Sequence, residues 1–249
     1  MIASGRPGPY SRGQEKTSLS EVSCFSCRVN ILAIDSSTEA CSAALYREDG
    51  AIFDCFELAP RRHARLLPAM MAQVIAAAGL DRKALTHCAF TNGPGAFTGI
   101  RIAAAQAQGI GIALDIPLLP VSTLAVLAQV AIDRMGCGRP LAALDARMDE
   151  IYWAVYQRDD SGLARLCGRE RLDRAEEIDI DDAVDGGVGH GWVEALRARA
   201  NFEVSPRLFP DAKSLLGLAV AAALDGPGVA AGAVGINYLR NRVAEKARS

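Results

Sequence analysis

The sequence predicts an α/β protein built from two halves of related topology, and three observations carry that prediction. Apolar runs of strand length alternate with stretches of helical period. The first such segment is a meander of short strands that precedes any helix. A strand ending in aspartate, followed by a turn and a second strand, then occurs twice, with Asp145 lying 110 residues after Asp35. On that offset Ala154, Val155 and Tyr156 fall on Ala44, Leu45 and Tyr46, which is the mark of an internal repeat. The boundary is placed near Gly138, giving a first lobe over 29–138 and a second over 139–249.

Residues 1–28 carry Gly5, Pro7, Gly8, Pro9 and Gly13 among serines, with no apolar period, and read as a disordered or mis-annotated extension. The apolar stretch of a signal peptide is missing, and Glu15 and Glu21 interrupt a transit-peptide pattern. Strands are expected over 29–34, 40–46 and 51–58, the last two joined by Glu48-Asp49-Gly50. Residues 62–78 read as a helix with an apolar stripe of Leu67, Met70, Met71, Val74, Ile75 and Ala78, with Gly79 as its C-terminal cap and Pro68 accommodated only if the first turn lies close to it. A short strand over 88–90 runs into a glycine-rich turn, Asn92 to Gly99, and a second helix over 100–114. That helix is crowded with Ala103, Ala104, Ala105, Ala107, Gly109 and Gly111; glycine costs helix stability, so a closely approaching backbone is expected there. Residues 117–121 read as extended, and Ser122 caps a third helix over 123–134, stopped by Gly136 and Gly138. The second half brings strands over 141–145 and 151–156, a glycine-rich turn over 186–191, a helix over 214–224 and a charged tail.

Composition excludes several classes of function. With 27 Lys and Arg against 29 Asp and Glu the net charge is −2, which argues against binding nucleic acid through bulk positive charge. Aromatic residues make up 6 %, too few for a base-stacking platform, and no apolar run is long enough to span a bilayer. The seven cysteines are odd in number and irregularly spaced, which points to a reducing compartment, the cytoplasm. Cys24 and Cys27 form a CxxC without a second pair of ligands and read as incidental thiols.

Six segments in order then carry a family resemblance. They are Ile31 to Thr38 (ILAIDSST), His63 to Pro68 (HARLLP), Gly93 to Arg101 (GPGAFTGIR), Val121 to Leu124 (VSTL), Asp145-Ala146-Arg147 with Glu150-Ile151-Tyr152, and Tyr238-Leu239-Arg240. Over about 29–241 the chain resembles the TsaB (YeaZ) family, whose members take part in making N6-threonylcarbamoyladenosine in tRNA. The resemblance implies the actin-like ATPase, ribonuclease H-like fold, two lobes each with a mixed sheet and helices. It also implies a non-catalytic subunit that forms a heterodimer with a TsaD-like transferase and contacts a TsaE-like ATPase, with tRNA held through the complex. TsaD would transfer the group from an adenylate made by a TsaC-type synthase. No cofactor is expected on this chain alone; ATP or ADP and a metal ion are expected on the partner subunits. Two helices from each protein would form the interface, here Leu67, Met70, Met71 and Val74 with Ile102, Ala105 and Gly109, and a homodimer could cover the same patch. The extra tail and Asn237, where the family often has proline, depart from the pattern.

Catalytic readings are weighed on individual residues. In the actin-like fold a strand, aspartate and hairpin hold nucleotide phosphates, so Asp35, Ser36 and Thr38 are candidates, with Gly187 and Gly189 for the adenosine. The plainer reading is that Asp35 and Ser36 stabilise their own turn. An ATP-dependent phosphotransferase with Asp35 and Asp145 as acids is the alternative function. A metallopeptidase is disfavoured: the HxxxH metal motif of TsaD falls on Thr123 and Leu127, and leucine has no lone pair to give. Gly93 to Gly99 is not followed by the GK[ST] of a P-loop.

Overall fold

The computed structural model describes residues 29–239; the tail with Cys24 and Cys27, and Arg240 and Asn241, lie outside the described residues. The strands of the first half are β1 (Ile31–Asp35), β2 (Ala40–Tyr46), β3 (Ile52–Leu58), β4 (His87–Thr91) and β5 (Leu118–Val121). Its helices are α1 (His63–Ala77), α2 (Phe97–Leu114) and α3 (Thr123–Met135). The second half supplies β6 (Pro140–Arg147), β7 (Glu150–Arg158), β8 (Ala164–Arg174), β9 (Gly186–Val188) and β10 (Glu203–Ser205), with α4 (Glu194–Arg197) and α5 (Ala212–Asp225).

The two sheets have one topology. Their orders are β3-β2-β1-β4-β5 and, read from the matching edge, β8-β7-β6-β9-β10. In each, three strands form an antiparallel meander and the next two add in parallel. The fold is therefore the predicted α/β pair of mixed sheets. The repeat is offset by one residue in its interior: Ala33 pairs with Ala44, whereas Ala143 pairs with Trp153. An irregularity between Asp145 and Arg147 absorbs the difference. At the tip of that hairpin Arg147, Met148 and Asp149 are successively left-handed, a costly run for residues with a Cβ. Asp145 supports it by accepting from the Arg147 backbone N–H at 2.7 Å.

The first sheet is covered on both faces, as strands with near-continuous apolar runs require. Leu32 and Ile34 pack beneath α1 and α2; Ile31 and Ala33 pack beneath α5. In the second sheet Ala142 and Leu144 face α3, while Leu141 and Ala143 face Trp153, Trp192 and Leu196. The boundary near Gly138 thus divides the strands but not the helices. Helix α3, assigned to the first lobe by sequence order, covers the second sheet, and α5, assigned to the second, covers the first. The two meet through Arg134 with Asp211 and through Ser214, whose hydroxyl donates to Asp133 at 3.3 Å.

Helix α2 begins at Phe97, three residues before the sequence places it, and Pro68 falls beyond the first turn of α1. Strand β8 carries no period-2 apolar pattern because it is a largely solvent-facing edge, and β9 hides in a stretch read as a glycine turn.

Candidate functional site

At the end of β1 the Asp35 carboxylate is completely buried. Its Oδ1 accepts from the Ser37 backbone N–H at 3.1 Å, the Ser37 hydroxyl at 2.6 Å and the Thr91 hydroxyl at 2.5 Å, while Oδ2 has no partner among the described atoms. Burial pushes its pKa up to about 6 against the pull of those hydrogen bonds. The glycine-rich loop seals the turn. The Ser36 hydroxyl donates to the Gly99 carbonyl at 2.9 Å, and the Ala96 N–H donates to the Ser37 carbonyl at 2.8 Å. A Cβ on Gly95 or Gly99 would collide with the carbonyl oxygen of Ser37 or Ser36. Thr38 is buried as well, its oxygen accepting from the Ala40 N–H at 3.3 Å. The hydroxyls of Ser36 and Ser37 are thus engaged within the chain, and Asp35, Ser36 and Thr38 lie buried in a packed turn. The hydrogen bonds of Asp35 and Ser36 are those of the plainer reading, in which they stabilise their own turn.

Gly187 and Gly189 are likewise accounted for by packing. A Cβ on Gly187 would lie 2.6 Å from the Trp192 ring, and one on Gly189 would strike the Ala143 carbonyl and Leu127. These positions let β9 approach Trp192 and α3 and leave no face for an adenosine. Beside them His190 Nδ1 accepts from the Asp145 N–H at 3.0 Å, and burial holds the imidazole below its usual pKa. Asp145 also pairs with Arg147 at 3.1 Å, so the second acid of the phosphotransferase alternative is engaged in its own hairpin.

The positions that match the TsaD metal motif are both buried. Thr123 opens α3 with its N–H on the Gly93 carbonyl at 2.9 Å, and Leu127 packs in the core of the second sheet. Neither residue fits a metal, and among the described residues no cluster of three His, Cys, Asp or Glu could hold one.

The outer face of α1 and α2 is different. The sequence stripe Leu67, Met70, Met71 and Val74 turns inward; even the methionines are only 7 % and 8 % exposed. Their assignment to a partner interface is corrected: at helical spacing a continuous large apolar stripe is the side that covers β2 and β3. What faces out is a row of small residues, Ala64, Pro68, Ala72 and Ala76 on α1. Beside them on α2 lie Phe97, half-buried Ile102, and exposed Ala105, Gly109 and Ile112. Phe97 is 64 % and Ile112 73 % exposed. Between the helices Ala64, Phe97, Thr98, Arg101, Ile102, Ala105 and Gln106 line an open groove of about 420 Å³. Arg101 lies flat on Phe97, its guanidinium carbon 3.3 Å from the ring centre. Sequence reading missed Phe97 and Arg101 because it left the first turn of α2 inside the glycine loop; the available signal was a spacing of four between small residues on α1.

Both small-residue expectations for α2 can now be separated. Gly111 meets Ala231 and Leu118, so its close approach is made within the chain. A Cβ on Gly109 would meet nothing within 4 Å among the described residues, so none of them explains a glycine there.

Comparison with known proteins gives consistent matches. A family model described as "TsaD: tRNA N6-adenosine threonylcarbamoyltransferase" matches residues 56–234. The tRNA threonylcarbamoyladenosine biosynthesis protein TsaB of Escherichia coli K12 is 37 % identical over 229 residues, 88 % of this chain and 97 % of its own length. That of Haemophilus influenzae is 33 % identical over 88 % of this chain and 96 % of its own length. The structure of YeaZ from Pseudomonas aeruginosa superposes with a TM-score of 0.81 at 43 % identity, covering 85 % of this chain and all of that one.

Proposed function

The chain belongs to the TsaB (YeaZ) family, and from that premise we propose that it is a non-catalytic scaffold subunit in tRNA N6-threonylcarbamoyladenosine biosynthesis. It binds and supports a TsaD-type threonylcarbamoyltransferase in the cytoplasm. A TsaE-type ATPase joins the complex, and tRNA, nucleotide and metal are held by the partners. One observation supports this reading above the others: Asp35, Ser36 and Thr38 are buried in a packed turn, whereas an apolar two-helix face lies open.

Physically the face suits a second pair of helices. Small side chains at a spacing of four allow close backbone approach, and an exposed aromatic and isoleucine supply apolar area to bury. Gly109 gives up helix stability on this open face, which is understandable where another backbone comes to lie against it. No described helix is long and apolar enough to cross a membrane.

The test is size-exclusion chromatography with light scattering, on the chain alone and mixed with the TsaD-type protein of the same genome. The wild-type chain is expected to form a heterodimer at micromolar concentration. Ala105→Glu should abolish it while remaining folded, since an unpaired charge in a desolvated apolar interface costs roughly 3–5 kcal/mol. Met71→Glu, buried against the sheet, should instead fail to fold. Absence of any complex with the wild-type chain would overturn the scaffold reading.

A further inference from the structure

The end of the described chain forms a strap that joins the first sheet to the second. Val229 exchanges two backbone hydrogen bonds of 2.8 Å with Leu118. Gln108 Nε2 donates to the Ala231 carbonyl at 3.2 Å, and the Asn237 N–H donates to the Asn92 carbonyl at 2.8 Å. The Asn237 side chain then reaches across: its Nδ2 donates to Glu170 Oε2 at 2.8 Å. Glu170 stands on β8 of the second sheet and is itself fixed, accepting from the Tyr156 hydroxyl at 2.9 Å and from the Ser122 hydroxyl that caps α3. Burial and the adjacent Glu170 carboxylate hold the Tyr156 phenol well above its ordinary pKa, so it remains a donor.

One residue beyond Asn237, Tyr238 lies beside the open groove. The Arg101 guanidinium carbon is 5.5 Å from the Tyr238 ring centre and 3.3 Å from that of Phe97. Arg101 and Phe97 both line the groove; Glu170 and Asn237 do not. A carboxylate of the second sheet is therefore connected to the α1–α2 face by one hydrogen bond, one peptide unit and one ring contact.

We propose that Glu170 and Asn237 are positioning residues for the partner face: their hydrogen bond fixes Tyr238, Tyr238 fixes the Arg101 guanidinium over Phe97, and the second sheet thereby sets the affinity of a face it does not touch. This rests on the reading of the α1–α2 face as the docking site of the TsaD-type transferase. Arg101 already donates to the Phe97 carbonyl at 3.2 Å, and a second ring beside it adds to that ordering; ordering the guanidinium in advance removes a cost that binding would otherwise bear. Coupling between sites of this kind commonly amounts to 5–150-fold in affinity.

The experiment is a titration of the purified TsaD-type transferase of the same genome with the full chain, carried out for wild type, Asn237→Ala, Tyr238→Ala, Tyr238→Phe, the double variant and Phe97→Ala. Thermal melts confirm that each variant is folded. Asn237→Ala and Tyr238→Ala should each weaken binding about tenfold. The double variant should be no weaker than Tyr238→Ala, because both act through one link, and Tyr238→Phe should bind as wild type because the ring is retained. Wild-type affinity in Asn237→Ala or Tyr238→Ala, additive losses in the double variant, or a loss in Tyr238→Phe would each overturn the proposal while leaving the docking face in place. Wild-type affinity in Phe97→Ala would overturn the docking face itself, and the proposal with it.

Discussion

Asp35 is taken up by the turn it opens: its carboxylate is fully buried and accepts from Ser37 and Thr91. Gly95 and Gly99 bring the loop down onto the turn at the end of β1 and close the space there. The consequence is measurable. The Asp35 pKa is raised from 3.8 to about 6, so between those values the folded state binds more protons than the unfolded state. The contribution of Asp35 to stability should therefore fall as pH rises from about 4 to 6, by up to about 3 kcal/mol, and be flat above. Asp35→Asn should remove that contribution in urea titrations run across the range, because the amide does not titrate, leaving the smaller slope of Asp133, whose pKa burial also raises. Gly99→Ala should cost roughly 3 kcal/mol, since the colliding atom is a backbone carbonyl that cannot swing away. The aspartate and the glycines were legible in the sequence. That they face each other was not, because their contact joins residues more than fifty positions apart.

At the scale of elements, the sequence told stripes from turns but not inside from outside. The Leu67 to Val74 stripe was correctly periodic, yet periodicity alone cannot say whether a sheet or a partner lies beneath it. The small-residue side, from which sequence reading drew only Ala105 and Gly109 of α2, is the open one. Gly109→Ala provides a direct check: with empty space at its Cβ position, it should stabilise the free chain by about 0.5–1 kcal/mol in thermal or urea melts. Strand β8 escaped notice because an edge with Arg165, Arg169 and Arg171 pays for solubility with its pattern.

At the scale of the whole molecule, the repeat at offset 110 correctly predicted two sheets of one topology. Sequence order could not show that each sheet is roofed by a helix from the other half, since nothing in the apolar pattern of α3 or α5 names its sheet. The crossing helices are joined by Arg134 with Asp211 and by Ser214 with Asp133, so neither sheet keeps its core if the other opens. Calorimetry should accordingly give a single transition with equal calorimetric and van't Hoff enthalpies.

The same crossing fixes an order of events on the ribosome. When β5 has emerged, every strand of the first sheet is present, but the helix that covers its second face, Ala212–Asp225, has yet to be made. At translation rates of 5–20 residues per second the intervening stretch takes on the order of ten seconds. Through that interval Ile31, Ala33, Ala44 and Leu119 have no helix to lie against. The nascent chain is thus a natural client for a holding chaperone until almost its last residues are added.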